Sequence, residues 1–254
     1  MSIFRLQQFS IEQSLSGMKV CSDSLLFGAM IPMHGVKRVL DIGSGTGLLA
    51  LMQAQKAHSL TAFELEKITA VELTHSGAQE ARKNFSASPW SESLELIEQD
   101  IQGFAEENYS KQAGYDLIIS NPPFFIDHSP TQQSDGLRNV ARHTDTLSYD
   151  DLCCSMKQLI TKEGSIYLLL PVVSIAVFSS ISKRHNLSLL AVTEISESEK
   201  HPAKVALLWL KLAEEGVEPI LKKDLIYKFG PDSNHTPIVK DYLKNYLLRY
   251  SDGL

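Results

Sequence analysis

Two kinds of hydrophobic pattern alternate along the chain. Short, nearly continuous apolar runs end at turn-forming or acidic residues. Between them lie stretches in which apolar residues return every three or four positions. The first kind signals strands buried on both faces, and the second signals amphipathic helices. Strands are predicted at Val36–Ile42, Ile68–Leu73, Leu94–Asp100, Tyr115–Ser120, Ser165–Leu170, Leu189–Glu194 and Val205–Leu210. Helices are predicted at Leu48–Lys56, Ser76–Phe85 (with Ala78, Ala81 and Phe85 on one face) and Tyr149–Ile160. The last two strands read as an antiparallel pair. Strands alternating with helices predict an α/β, Rossmann-like fold: seven strands, mostly parallel, with an antiparallel last strand and helices on both faces. One domain is expected over 1–254, with 1–35 as an N-terminal extension contributing to the site and 36–254 as the core. Tyr242, Tyr246 and Tyr250 recur with Leu243 and Leu247, which predicts a C-terminal helix packed on that core.

Chemistry first appears at Asp41-Ile42-Gly43-Ser44-Gly45-Thr46-Gly47, where the first strand turns into a helix. Glycines permit the sharp turn and let a ligand approach the backbone at Gly43, Gly45 and Thr46. The third glycine follows the second by two residues, closer than in dinucleotide fingerprints. With an acid ahead, this spacing suits the amino-acid end of S-adenosylmethionine (SAM), and Asp41 is placed to face its ammonium. An acid at the tip of the second strand accepts ribose hydroxyls. Glu72, which ends the better strand, is preferred to Glu64, which lies nearer the usual spacing. Asp100, read as the end of the third strand, is a candidate acceptor for an adenine amino group.

The most specific feature is Asn121-Pro122-Pro123-Phe124, directly after the fourth strand. A planar amine is a poor nucleophile because its lone pair is delocalised. The Asn121 side-chain oxygen and the Pro122 carbonyl can each accept one N–H, which aims the lone pair and stabilises charge developing on nitrogen. Pro122 and Pro123 hold that backbone rigid. Phe124 is placed to stack on the planar substrate. Arg138, Arg142 and His143, farther along, are candidates to grip phosphates flanking a flipped base.

These residues together resemble the amino-group methyltransferases of DNA, RNA and protein glutamine. More narrowly, the chain is similar to the bacterial tRNA(Val) adenine-N6-methyltransferase family, which acts at position 37 of the tRNA. The segments Phe4–Phe9, Met18–Asp23, Ser88-Pro89-Trp90 and Arg138–Ser148 carry that narrower likeness, which runs over nearly the whole chain. The resemblance implies a class I methyltransferase fold, with SAM contacts at Lys19, Asp41, Gly43, Glu72 and Asp100. It also implies target-amine contacts at Asn121 and Pro122, with Phe124 stacking. Cys21 and Ser22 stand where glycine and threonine are typical, Phe124 where tyrosine is commoner, and Lys204 where arginine is usual. Lysine lacks arginine's bidentate fork.

Composition adds exclusions. Residues total 24 basic and 30 acidic, a formal charge of −6, which argues against a nonspecific nucleic-acid binder. Residues 1–150 hold 11 basic and 18 acidic groups, and 200–254 hold 9 and 7, so an RNA-facing bias is expected locally. No apolar run reaches the ~18–20 residues of a membrane span, and no signal-peptide layout is seen at the start, so a cytoplasmic location is expected. Cys21, Cys153 and Cys154 lack metal-ligand spacing and read as reduced thiols. The expected partner is tRNA, without membrane or metal, and a monomer is favoured. Two other functions fit parts of the pattern. Protein glutamine-N5 methylation of a translation factor uses the same four-residue loop but usually comes with a larger N-terminal helical domain. A non-catalytic SAM- or RNA-binding module would not need Asn121 and Asp41 intact.

Overall fold

The computed structural model describes residues 2–15, 19–60, 64–109, 114–122, 147–214, 216 and 219–251. An antiparallel hairpin, β1 (Ile3–Arg5) and β2 (Ser10–Glu12), precedes α1 (Ser22–Met30). The core then runs β3 (Arg38–Ile42), α2 (Leu48–His58), β4 (Lys67–Glu72), α3 (His75–Ser86), β5 (Leu94–Glu98), α4 (Ile101–Asn108) and β6 (Tyr115–Ser120). It continues through α5 (Tyr149–Leu159), β7 (Ile160–Pro171), α6 (Ile175–Arg184), β8 (Leu187–Ser196), β9 (Val205–Leu212), β10 (Lys222–Tyr227) and α7 (Pro237–Leu243).

The main sheet has the order β10-β8-β9-β7-β6-β3-β4-β5. Strands β3 to β7 pair in parallel, and β9 lies antiparallel between β7 and β8. The Rossmann-like, mostly parallel architecture is therefore the expected one. The strand count and the identity of the last strand are not. An eighth strand, β10, follows β9 and pairs in parallel with β8 at the sheet edge. Its sequence, Lys-Lys-Asp-Leu-Ile-Tyr, leaves the first four residues exposed. An edge strand of that kind carries no apolar run to find.

Period-two alternation explains why the central strands read as unbroken apolar runs. Successive side chains point to opposite faces, and both faces are covered. Val39, Leu117, Ile119 and Leu169 join the layer built on α1, α2, α3 and α7. Leu40, Ile118, Leu168 and Leu170 join the layer with Phe104 of α4, Met156 of α5 and Phe178 of α6. Cys153 is buried and Cys154 half-buried, both as free thiols.

Two ties position the N-terminal segment over the carboxyl edge of the sheet. The Lys56 ammonium donates to the carbonyls of Gly28 (3.2 Å), Ala29 (2.8 Å) and Ile31 (2.5 Å), closing the C-terminal end of α1. At the other end, buried Lys228 donates to Asp23 (2.8 Å) and Ser22 (3.1 Å) and pairs with Glu197 (2.7 Å). The tail packs on the core as expected: Leu243, Tyr246 and Leu247 are buried, and the Tyr246 hydroxyl donates to Met52 O at 3.2 Å. It is not one helix, however, because α7 ends at Leu243.

Candidate active site

Along one edge of the sheet the carboxyl ends of β6, β3, β4 and β5 stand side by side. On either side of β3 the chain continues in opposite directions, which opens a crevice at the switch point, where α/β sheets hold ligands. Asn121 follows β6, Asp41 lies in β3 ahead of the glycine loop, Glu72 ends β4, and Asp100 lies just beyond β5.

Asp41 is fully buried. Its Oδ2 accepts from the Ala50 N–H at 3.1 Å, and its Oδ1 has no partner. Burial pushes its carboxyl up to about 7, opposed by the Ala50 N–H and assisted by the neighbouring Glu72 charge. The loop beyond it is folded against β4, with the N–H groups of Gly43 (2.8 Å) and Ser44 (3.2 Å) donating to Val71 O. Gly43 and Gly45 adopt φ of 68° and 54°, and a Cβ on either would meet nothing within 4 Å, so the backbone borders open space. Gly47 is different. Its φ is 80°, and a Cβ there would meet Phe85 Cε1 at 2.4 Å, so the turn into α2 admits only glycine. Thr46 is buried, its carbonyl held by Asn84 Nδ2 at 2.9 Å.

Glu72 is buried at the loop. Its Oε2 accepts from Gly45 N–H (2.8 Å), and its Oε1 accepts from the Thr74 N–H (2.9 Å) and hydroxyl (2.6 Å). Glu64 is exposed and precedes β4, at the opposite end of the strand from the loop. Asp100 requires a correction. It does not end a strand, since β5 stops at Glu98. It is the N-cap of α4, and its exposed carboxylate accepts from Gly103 N–H at 2.7 Å. Lys19 is exposed between β2 and α1.

Asn121 is held by one end only. Its Nδ2 donates to Ser24 Oγ at 3.0 Å, while its Oδ1 is buried without a partner. Pro122 beside it is buried. Pro123, Phe124, Arg138, Arg142 and His143 lie outside the described residues. Among the described residues, five buried side-chain polar atoms lack partners, and three of them, Asp41 Oδ1, Ser44 Oγ and Asn121 Oδ1, cluster here. Folded proteins rarely leave such atoms unpaired, so their concentration at one crevice marks a place where a polar partner would be satisfied. Among the described residues no group of three His, Cys, Asp or Glu side chains is placed to hold a metal ion, and no helix is long and apolar enough to cross a membrane.

Sequence reasoning missed two contributors. Asn84 of α3 bridges the glycine loop to the N-terminal hairpin: it accepts from Glu12 N–H (2.8 Å) and donates to Glu12 O (3.1 Å) as well as to Thr46 O. Ser24 of α1 reaches Asn121 across 97 residues of sequence. Both contacts are long-range, and periodicity carries no trace of them. A polar residue on the buried face of a helix was the only available signal.

The family model for the methyltransferase small domain matches residues 15–144. A tRNA1(Val) (adenine(37)-N6)-methyltransferase of Shewanella sp. (strain MR-4) is 36% identical over 97% of this chain and 99% of that protein. Its namesake from Shewanella halifaxensis is 41% identical over 73% of this chain and 71% of that protein. Among solved structures, a predicted O-methyltransferase from Agrobacterium tumefaciens superposes with a TM-score of 0.64 at 18% identity, covering 88% of this chain and 95% of that one, which is a likeness of fold.

Proposed function

This chain belongs to the family of the tRNA1(Val) (adenine(37)-N6)-methyltransferases, and we propose that it transfers a methyl group from SAM to the exocyclic N6 of adenine 37 in tRNA1(Val). The observation that carries the mechanism is the buried, unpartnered Oδ1 of Asn121 at the crevice beside β3.

The described residues fit SAM. Asp41 presents an orphaned carboxylate oxygen to an ammonium group, the open faces of Gly43 and Gly45 leave room for the amino-acid end, and Glu72 offers lone pairs to ribose hydroxyls. Lys19, Thr46 and Asp100 border the same cofactor. When bound, SAM would supply a methyl carbon on a sulfonium sulfur, with the neutral thioether as its leaving group.

The rest of the chemistry is placement. Asn121 Oδ1 and the Pro122 carbonyl accept the two N–H groups of adenine N6. This turns the nitrogen lone pair out of the ring's π system and stabilises the positive charge that develops on nitrogen. Pro122 and Pro123 keep the two acceptors at a fixed separation, and Phe124 stacks on the base. Arg138, Arg142 and His143 hold the phosphates of the tRNA around the extruded nucleotide.

The test is transfer of labelled methyl from SAM to an unmodified tRNA1(Val) transcript, with nucleoside analysis. N6-methyladenosine at position 37 is expected, reduced at least ~1000-fold in Asn121→Ala with the SAM Kd changed less than about threefold. A large loss of SAM binding in that variant would remove the role given to Asn121. Incorporation absent from tRNA, despite SAM binding, would overturn the substrate.

A further inference from the structure

We propose that Ser24 is a positioning residue that fixes which end of the Asn121 carboxamide faces the target amine. The proposal rests on the reading that Asn121 takes that amine.

A carboxamide has one accepting end and one donating end of nearly equal size. Only the oxygen end assists an amine, because an –NH2 turned toward the substrate's N–H groups would repel them. Something must distinguish the ends. Asn121 Oδ1 has no partner that would do so, whereas Nδ2 sits 3.0 Å from Ser24 Oγ. Ser24 Oγ sits in turn 3.1 Å from Cys21 Sγ. That sulfur already acts as an acceptor, since it caps α1 by receiving the Ser24 N–H at 3.5 Å. With the Ser24 hydroxyl hydrogen directed at Cys21 Sγ, an oxygen lone pair is left for Asn121 Nδ2–H. Either atom of the Ser24–Cys21 pair can donate; in the proposed arrangement the Ser24 hydroxyl donates to Cys21 Sγ, Asn121 Nδ2–H donates to Ser24 Oγ, and Oδ1 is the end that stays free.

The helix that carries Ser24 is tied at both ends. Ser24 is buried at 6% exposure. The first turn of α1 is pinned by Lys228 on Ser22 and Asp23, and its last turn by Lys56 on three carbonyls. A buried hydroxyl on a helix tied in this way is suited to fix a neighbouring side chain, and supporting contacts around a reacting centre must hold it to about 0.5 Å.

The experiment compares the parent with Ser24→Ala and Ser24→Thr. In Ser24→Ala, kcat for tRNA methylation should fall roughly 10- to 100-fold, with KM for SAM and the thermal midpoint nearly unchanged. Ser24→Thr, which keeps the hydroxyl, should restore kcat to within a few-fold. An activity-free readout accompanies it: in asparagine-labelled protein, the Asn121 side-chain amide protons should be protected from exchange in the parent and lose that protection in Ser24→Ala. Unchanged protection in Ser24→Ala, or parent-like kcat in an active enzyme, would overturn the positioning role while leaving the methyltransferase reading intact. A parent that shows Asn121 protection yet methylates no tRNA would instead overturn the substrate reading alone.

Discussion

At the scale of single residues, the crevice holds an acid whose burial costs stability. The ordinary carboxylate value of 3.8 for Asp41 is raised to about 7. With the folded value above the unfolded one, protonation favours the fold: the contribution is fully present below about 3.8 and is lost as pH rises through about 7. Asp41→Asn removes that dependence. Thermal melts without cofactor should show the variant gaining on the parent as pH rises from about 4 to about 8, by on the order of 2–4 kcal/mol. SAM affinity should move the other way, strengthening through pH ~7 in the parent and staying weak and flat in the variant. A parent melt that is indifferent to pH over that window would contradict the burial argument. Glu72→Ala should weaken SAM binding by at least tenfold and Glu64→Ala by less than twofold, read by calorimetry, because only Glu72 stands at the loop. The reverse order would move the ribose contact to the other acid. The positions of Asp41, Glu72 and Asn121 at the carboxyl edge were legible in the sequence because each lies in the last residues of, or directly after, a strand whose apolar run is easily seen. The capping role of Asp100 was not, since an acid two residues past a strand reads like an acid at its tip.

At the scale of elements, the turn from β3 into α2 carries two independent reasons to be glycine at position 47. A side chain there would adopt a left-handed conformation and strike Phe85. Gly47→Ala is expected to cost about 2–4 kcal/mol, the sum of a backbone and an overpacking penalty. It should also loosen SAM binding, since the same turn carries Gly43 and Gly45. Denaturant titration checks the first effect and calorimetry the second. Stability within about 0.5 kcal/mol of the parent would show that α3 yields to the methyl. Strands β3 to β9 could be placed from pattern alone to within a few residues, β5 at the sheet edge included, apart from the early start of β7. That strand begins at Ile160, before Lys162-Glu163-Gly164, which reads as a turn. Edge strand β10, the three-residue strands of the N-terminal hairpin and the helix α4, with Gly103 in its first turn, give no comparable signal.

At the scale of the whole molecule, the two ends of the described chain support each other. Gln7 N–H donates to Tyr246 O at 2.9 Å, its side chain donates to Lys244 O and Leu247 O, and Gln55 Nε2 donates to Asn245 O. A chain truncated before Pro237 loses these partners and the cover over α1. Its thermal midpoint should drop by at least ~8 °C and its SAM affinity should fall through the loss of support for α1. Parent-like SAM affinity in that truncation would show that α1 docks without the tail. The overall architecture was readable because a both-faces-covered sheet imprints its period on the sequence. The way the ends meet was not, because it depends on backbone carbonyls more than two hundred residues apart, which no local pattern records.

The Lys228 clasp on Ser22 and Asp23 also sets an order of events during synthesis. The turn of α1 that carries Ser24 is among the earliest segments translated, yet its ammonium anchor is 205 residues downstream of Asp23. Every strand of the main sheet therefore precedes Lys228 in the sequence, and the clasp on the first turn of α1 forms after they are made. The last anchor of α1 is thus supplied from beyond β10, the final strand of the sheet, so the clasp can close only on a sheet whose strands are all already present.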